Sequence, residues 1–293
     1  MKIERILVPI DFSDFSDKAV DYALYLAENF DADITLLHTV VLFKEEPDEE
    51  FKLAGYEKHV EKKERERQEL FQPHHERAIQ KGMQIDSEII RGFSAADSII
   101  EYIDTHNFDL VVLGTHGRTG FKKWLYGSVA EKVVRLSPIP VLTTHDTTRQ
   151  IEFDKILIPV DFSEFSKKAV KSGLEMFRKS KAELHFLHVV EQQIHPAFYA
   201  AGFDSIFDID KSLEERVLKN LIDFVGVPEN KAKYAVADGK AHKEIIKYAQ
   251  NKDIDLIVMA TRGLSKLQHF LVGSNAERVV CVAPCPVLTV GRE

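Results

Sequence analysis

The strongest constraint on this chain's fold is that its sequence is written twice. Arg5-Ile6-Leu7-Val8-Pro9-Ile10-Asp11-Phe12-Ser13 returns as Lys155-Ile156-Leu157-Ile158-Pro159-Val160-Asp161-Phe162-Ser163. Leu36-Leu37-His38-Thr39-Val40 returns as Phe186-Leu187-His188-Val189-Val190, and Phe108-Asp109-Leu110-Val111-Val112-Leu113-Gly114 as Ile254-Asp255-Leu256-Ile257-Val258-Met259-Ala260. Gly127-Ser128 returns as Gly273-Ser274, and Pro138-Ile139-Pro140-Val141-Leu142 as Pro284-Cys285-Pro286-Val287-Leu288. The order is kept throughout, so residues 1–146 and 151–293 are two copies of one domain, joined by the polar segment between Thr144 and Ile151.

Within a copy, short apolar runs alternate with helical patterns. Arg5 to Ile10 reads as a strand buried on both faces, with Pro9 at its end because a proline cannot donate to a central ladder. Ser13 or Asp14 caps the next helix, whose apolar side carries Ala19, Ala23, Leu24 and Ala27. Strands are expected at Asp33 to Val40, Ile85 to Ile90, Leu110 to Leu113 and Val141 to Thr143. Between them come a charged helix from Gly55 to Lys81, kinked or divided at Pro73, a helix from Ala95 to His106, and a last helix starting near Ser128. Such alternation predicts an α/β fold: two tandem open parallel five-stranded sheets, Rossmann-like, with helices on both faces. Ligands of such sheets sit beyond the carboxyl ends of the strands, and Asp11, Thr39, Gly92 and Gly114 all fall on that edge.

The bulk properties narrow the partners. A formal net charge of −8 over 293 residues argues against a nucleic-acid surface. No apolar run approaches the roughly 20 residues of a membrane helix, and the N-terminus lacks the pattern of a signal peptide, so a cytoplasmic protein is expected. The mixed run Glu61-Lys62-Lys63-Glu64-Arg65-Glu66-Arg67 reads as a solvated helix face with i,i+4 pairs. Cys281 and Cys285 are expected to be buried free thiols rather than a disulfide or a metal site.

The candidate chemistry lies in the glycines after the fourth strand. Gly114-Thr115-His116-Gly117, nine further residues, then Gly127-Ser128 stand where a strand ends and a helix begins. A loop poor in side chains lets backbone N–H groups approach an anion, and the helix N-terminus adds its partial positive charge. The spacing is neither the P-loop nor the dinucleotide fingerprint. A simple turn is the competing explanation. Ser128 is expected to cap the final helix and to offer a hydroxyl to phosphate, while Arg118, Lys122 and Lys123 place cations in the loop. Asp11 could take a ribose hydroxyl, or form a turn with Ser13.

Together these residues resemble the universal stress protein family in a tandem form, carried by Val8-Pro9-Ile10-Asp11-Phe12-Ser13, Leu36-Leu37-His38-Thr39-Val40, Gly114-Thr115-His116-Gly117, Gly127-Ser128-Val129 and Pro140-Val141-Leu142. The resemblance covers nearly the whole chain and implies an ATP-binding module of the adenine nucleotide alpha hydrolase-like fold. ATP, with Mg2+, is the implied cofactor, ADP and AMP the alternatives. It sets Asp11 and Thr39 around the ribose and adenine, and Gly114, Gly117, Gly127, Ser128 and Val129 at the phosphates, with Pro9, Gly92 and Arg118 bordering the same edge. In the second copy it implies Asp161 and Val189 for base and sugar, and Gly263, Gly273, Ser274 and Asn275 for phosphates. That copy departs from the pattern at Ala260 and Asn275, which puts nucleotide binding there in question: a methyl at Ala260 narrows the approach, or the position needs backbone angles only glycine reaches easily.

His38 and His188, among apolar neighbours, read as packed structural histidines, and His74 and His75 as surface residues of the charged helix. A regulatory, stress-response binding module is favoured over a slow ATPase or nucleotidyl transferase, because no carboxylate or general base stands inside the phosphate loop. The resemblance also implies pairing of the copies through the last strands, Val141-Leu142-Thr143 with Val287-Leu288-Thr289, as an internal pseudo-dimer with further homodimerisation open.

Overall fold

The computed structural model describes residues 2–42, 53–115, 127–145, 151–178, 180–191, 202–203, 205–261 and 273–291, with backbone alone at 53–55. They fall into two compact units, Lys2–Asp146 and Thr147–Gly291.

The first unit runs β1 (Arg5–Pro9), α1 (Asp14–Phe30), β2 (Asp33–Val41), α2 (Leu53–Glu69), α3 (Gln72–Gln80), β3 (Ile85–Gly92), α4 (Ala95–Thr105), β4 (Leu110–Gly114), α5 (Ser128–Leu136) and β5 (Val141–Thr144). Its sheet is parallel, in the order β3-β2-β1-β4-β5. The chain works outward from β1 to β3 and then returns to lay β4 on the other side of β1. The order therefore reverses between β1 and β4, which opens a crevice beyond their carboxyl ends.

The second unit repeats this with β6 (Lys155–Pro159), α6 (Glu164–Met176), β7 (Glu183–Val190), α7 (Ile206–Ile209), α8 (Leu213–Val225), β8 (Lys233–Asp238), α9 (Ala241–Asn251), β9 (Leu256–Ala260), α10 (Ser274–Val282) and β10 (Val287–Val290). Its parallel order is β8-β7-β6-β9-β10.

Residue chemistry explains these elements. Ile6, Leu7, Val8, Leu110, Val111 and Val112 are fully buried, as central strands covered on both faces require. Ala19, Ala23, Leu24 and Ala27 are buried in α1, and the small size of the three alanines lets the helix lie close to the sheet. Ser13 is the cap of α1, in a capping box with Ser16. Pro73 stands in the first turn of α3, where its missing N–H costs nothing, and the charged helix is divided there with Phe71 buried at the joint. Asp109 ties β4 to β1: its carboxylate accepts the N–H groups of Glu4 (2.8 Å) and Arg5 (3.0 Å). Asp255 does the same for Lys155 at 2.9 Å, which is why an aspartate recurs before both strands.

Cys281 and Cys285 are not joined in a disulfide; Cys285 is buried, whereas Cys281, in the last turn of α10, is partly exposed rather than buried. No helix among the described residues is long and apolar enough to cross a membrane.

Candidate functional site

Where β1 ends, the chain turns through Phe12, whose φ of 62° is left-handed. That conformation is strained for a bulky residue, at a cost of about 1–3 kcal/mol. Aromatic packing holds it: the Phe12 ring lies 4.8 Å from His38 and 5.1 Å from Phe71, centroid to centroid. His38 Nδ1 donates to the Ile10 carbonyl at 2.7 Å, so the imidazole staples β2 to the end of β1. The second unit copies the device, with Phe162 at φ 63°, packed on His188 and Phe224, and His188 Nδ1 donating to Val160 O at 2.7 Å. Burial pushes the His188 pKa down, keeping the ring neutral. The histidines are structural staples, although His38 also borders the cavity described next.

The turn directs Asp11 to the crevice. Its Oδ1 accepts the Ser13 N–H at 3.1 Å and the Ser13 hydroxyl at 2.6 Å, so the local turn role is real. Beyond it opens a cavity of about 340 Å³, within the size range of small-molecule sites. Pro9 and Asp11 from the end of β1 line one part of it, and Thr39, Val40 and Val41 from β2 another. Gly114 and Thr115 follow from β4, and Gly127, Ser128 and Val129 from the start of α5. The cavity thus gathers seven predicted residues: Pro9, Asp11, Thr39, Gly114, Gly127, Ser128 and Val129. Thr39 Oγ1 is buried without a hydrogen-bond partner among the described residues, an arrangement that costs about 1–3 kcal/mol unless something else bonds to it.

Several details differ from expectation. Gly127, in extended conformation, is the N-cap of α5, and Ser128 is its first helical residue, so the cap residue itself has no side chain to offer. The α5 terminus consequently faces the cavity through backbone N–H groups near Ser128 and Val129. Thr115, passed over in the sequence, positions it. Its N–H and hydroxyl both bond Thr144 O at 3.1 Å, and its carbonyl takes the Gly127 N–H at 2.8 Å.

Gly114 does not use a left-handed angle. A Cβ there would lie 2.7 Å from the carbonyl oxygen of Phe15, so the glycine is needed where α1 docks on β4. Gly92 lies at the end of β3, outside the cavity lining; a Cβ there would meet Ser98 Oγ at 2.0 Å. Gly117, Arg118 and Gly263 lie outside the described residues, as do His116, Lys122 and Lys123.

The charged helix also behaves differently. Lys63 and Arg67, expected on a solvated face, border the cavity. Glu64 and Glu57 instead reach Arg91 on β3, at 2.6 and 2.7 Å, and the Arg91 hydrogen bond lowers the Glu64 pKa. Lys62–Glu66 is an i,i+4 pair at 3.7 Å. His74 is buried against Phe12 and Arg77, not on the surface. Nothing in the alternating charges signals which side of α2 meets the sheet.

A model described as the universal stress protein family matches residues 2–145 and 152–291. The chain belongs to the universal stress protein family. Among its relatives, a universal stress protein of Methanocaldococcus jannaschii is 33% identical over 139 residues, covering 47% of this chain and 82% of that one. Another, from Synechocystis, is 22% identical along 98% of this chain and 99% of its own. A solved universal stress protein from Archaeoglobus fulgidus superposes over the full length of both chains with a TM-score of 0.75 at 24% identity, which shows the shared fold.

The second unit of this universal stress protein keeps the framework and changes the edge. Asp161 Oδ1 accepts from the Ser163 N–H at 3.0 Å and from its hydroxyl, as Asp11 does. Gly273 caps α10, and Ser274 starts it. Asn275, in place of Val129, has its Oδ1 3.3 Å from His242 Nδ1. Val189 replaces Thr39 and so carries no hydroxyl. The residue after Val190 is Glu191, where the first unit has Val41. Its carboxylate accepts the Ala241 N–H at 2.6 Å and covers the start of α9.

Proposed function

We propose that the first unit holds one adenine nucleotide in the crevice between β1 and β4, and that occupancy regulates this cytoplasmic protein's conformation or its choice of partner. The observation that carries this reading is the 340 Å³ cavity at the reversal of strand order, where a carboxylate, an unsatisfied hydroxyl and the start of α5 converge. In this reading Asp11 accepts a ribose hydroxyl, Thr39 Oγ1 gains its missing partner from the ligand, and the phosphates lie beside Gly127 and meet the N–H groups at Ser128 and Val129. ATP fits the arrangement, with ADP and AMP as alternatives. Mg2+ would enter on the phosphates, since Asp11 is the one carboxylate of the described lining.

Binding is favoured over turnover. Asp11 already accepts two hydrogen bonds from Ser13, which suits a fixed acceptor better than a mobile base. In the second unit the Glu191 carboxylate at the start of α9 and the Asn275–His242 contact weigh against an anionic ligand.

The test is to denature the purified protein, identify the released nucleotide by mass spectrometry and measure its stoichiometry, then titrate the stripped protein. About one adenine nucleotide per chain is expected, with binding weakened by Gly127→Ala. No bound nucleotide, and no response to ATP, ADP or AMP, would overturn the proposal.

A further inference from the structure

Helix α2 sorts its charges by direction. Its acids Glu57 and Glu64 are drawn to Arg91, and Glu66 lies beside Lys62. Lys63 and Arg67, one turn apart on the same side, are half-buried and border the cavity. Arg67 makes no ion pair among the described residues, in a helix rich in carboxylates. A partly desolvated guanidinium that borders a cavity while its neighbouring acids bond elsewhere lacks a counter-charge, and an anion in the cavity would supply it.

We propose that Lys63 and Arg67 form a cationic wall that reads the negative charge of the ligand, so that the cavity prefers phosphorylated nucleotides over the bare nucleoside. This rests on the nucleotide reading above and adds a second source of positive potential to the α5 helix start. Two positive sources bordering one concave, partly desolvated space concentrate anions more than either does in open water.

The experiment is calorimetric titration of the full chain with adenosine, AMP, ADP and ATP, for wild type, Arg67→Gln, Lys63→Gln and Arg67→Lys, at low and high salt. Each glutamine variant should weaken ATP about tenfold or more, the worth of one charge-assisted hydrogen bond, and change adenosine little. Arg67→Lys should keep most of the ATP affinity, and the salt dependence of ATP binding should flatten in the glutamine variants. If wild type binds the nucleotides but Arg67→Gln changes nothing, or weakens adenosine as much as ATP, the charge-reading role is overturned. If wild type binds none of the four, the nucleotide reading itself falls, and this proposal with it.

Discussion

Thr39 shows how a single residue can be set for a ligand rather than for the fold. Its hydroxyl is buried at the end of β2 with no partner among the described residues, while the equivalent position in the other copy is Val189. A valine fills nearly the same volume without a polar atom to desolvate, so the fold alone does not need the threonine. Thr39→Val is expected to leave the ligand-free protein unchanged or more stable, by up to about 1–3 kcal/mol, and to weaken nucleotide binding. Thermal melts and calorimetric titration of the same variant check both parts. A destabilised apo protein would show that the hydroxyl has a structural partner after all.

At the scale of elements, the docking of α1 on β4 separates the two copies. Gly114 lets the backbone of Phe15 approach to a distance no Cβ tolerates, whereas the second unit carries Ala260 at that place. Gly114→Ala should therefore push the start of α1 off the sheet, lowering stability by about 1–3 kcal/mol as overpacking does. Ala260→Gly removes a methyl that its unit already accommodates, and should cost only the added chain entropy, about 0.5–1 kcal/mol. Denaturant unfolding of the pair tests this, and a neutral Gly114→Ala would refute the packing account. The same docking governs the site, because the start of α1 carries the Ser13 turn that holds Asp11.

Across the whole molecule, both units bury histidines in neutral form. Burial lowers the pKa of His74 in the first unit, and of His185 and His188 in the second, from an ordinary value of 6.5. Folded pKa values below the unfolded one mean that the unfolded chain binds more protons just under pH 6.5, so stability falls as the pH drops through that window. Asp21 is shifted in the opposite sense, raised above the ordinary carboxylate value by burial, so its protonation favours the folded state. Unfolding free energies measured between about pH 7.5 and 5.5 should decline steadily; a flat or rising profile would contradict the burial of neutral imidazoles.

What the sequence determined by itself follows from short-range regularities. The repeat set two copies of one domain, and apolar runs between helical patterns set the five strands of the first copy close to their observed ends. Strand-end residues such as Asp11 and Thr39 marked one edge, because strand and helix patterning is local and the carboxyl ends of parallel strands necessarily share a side. Only the tertiary structure decided that β4 returns beside β1, which of the edge residues line the cavity while Gly92 does not, and that Gly114 serves a close approach to Phe15. It also decided that Lys63 and Arg67 border the cavity while Glu57 and Glu64 bond to Arg91. Those outcomes depend on how whole helices seat on the sheet. Seating is set by the sum of many distant contacts, and a run of alternating charges carries no record of it.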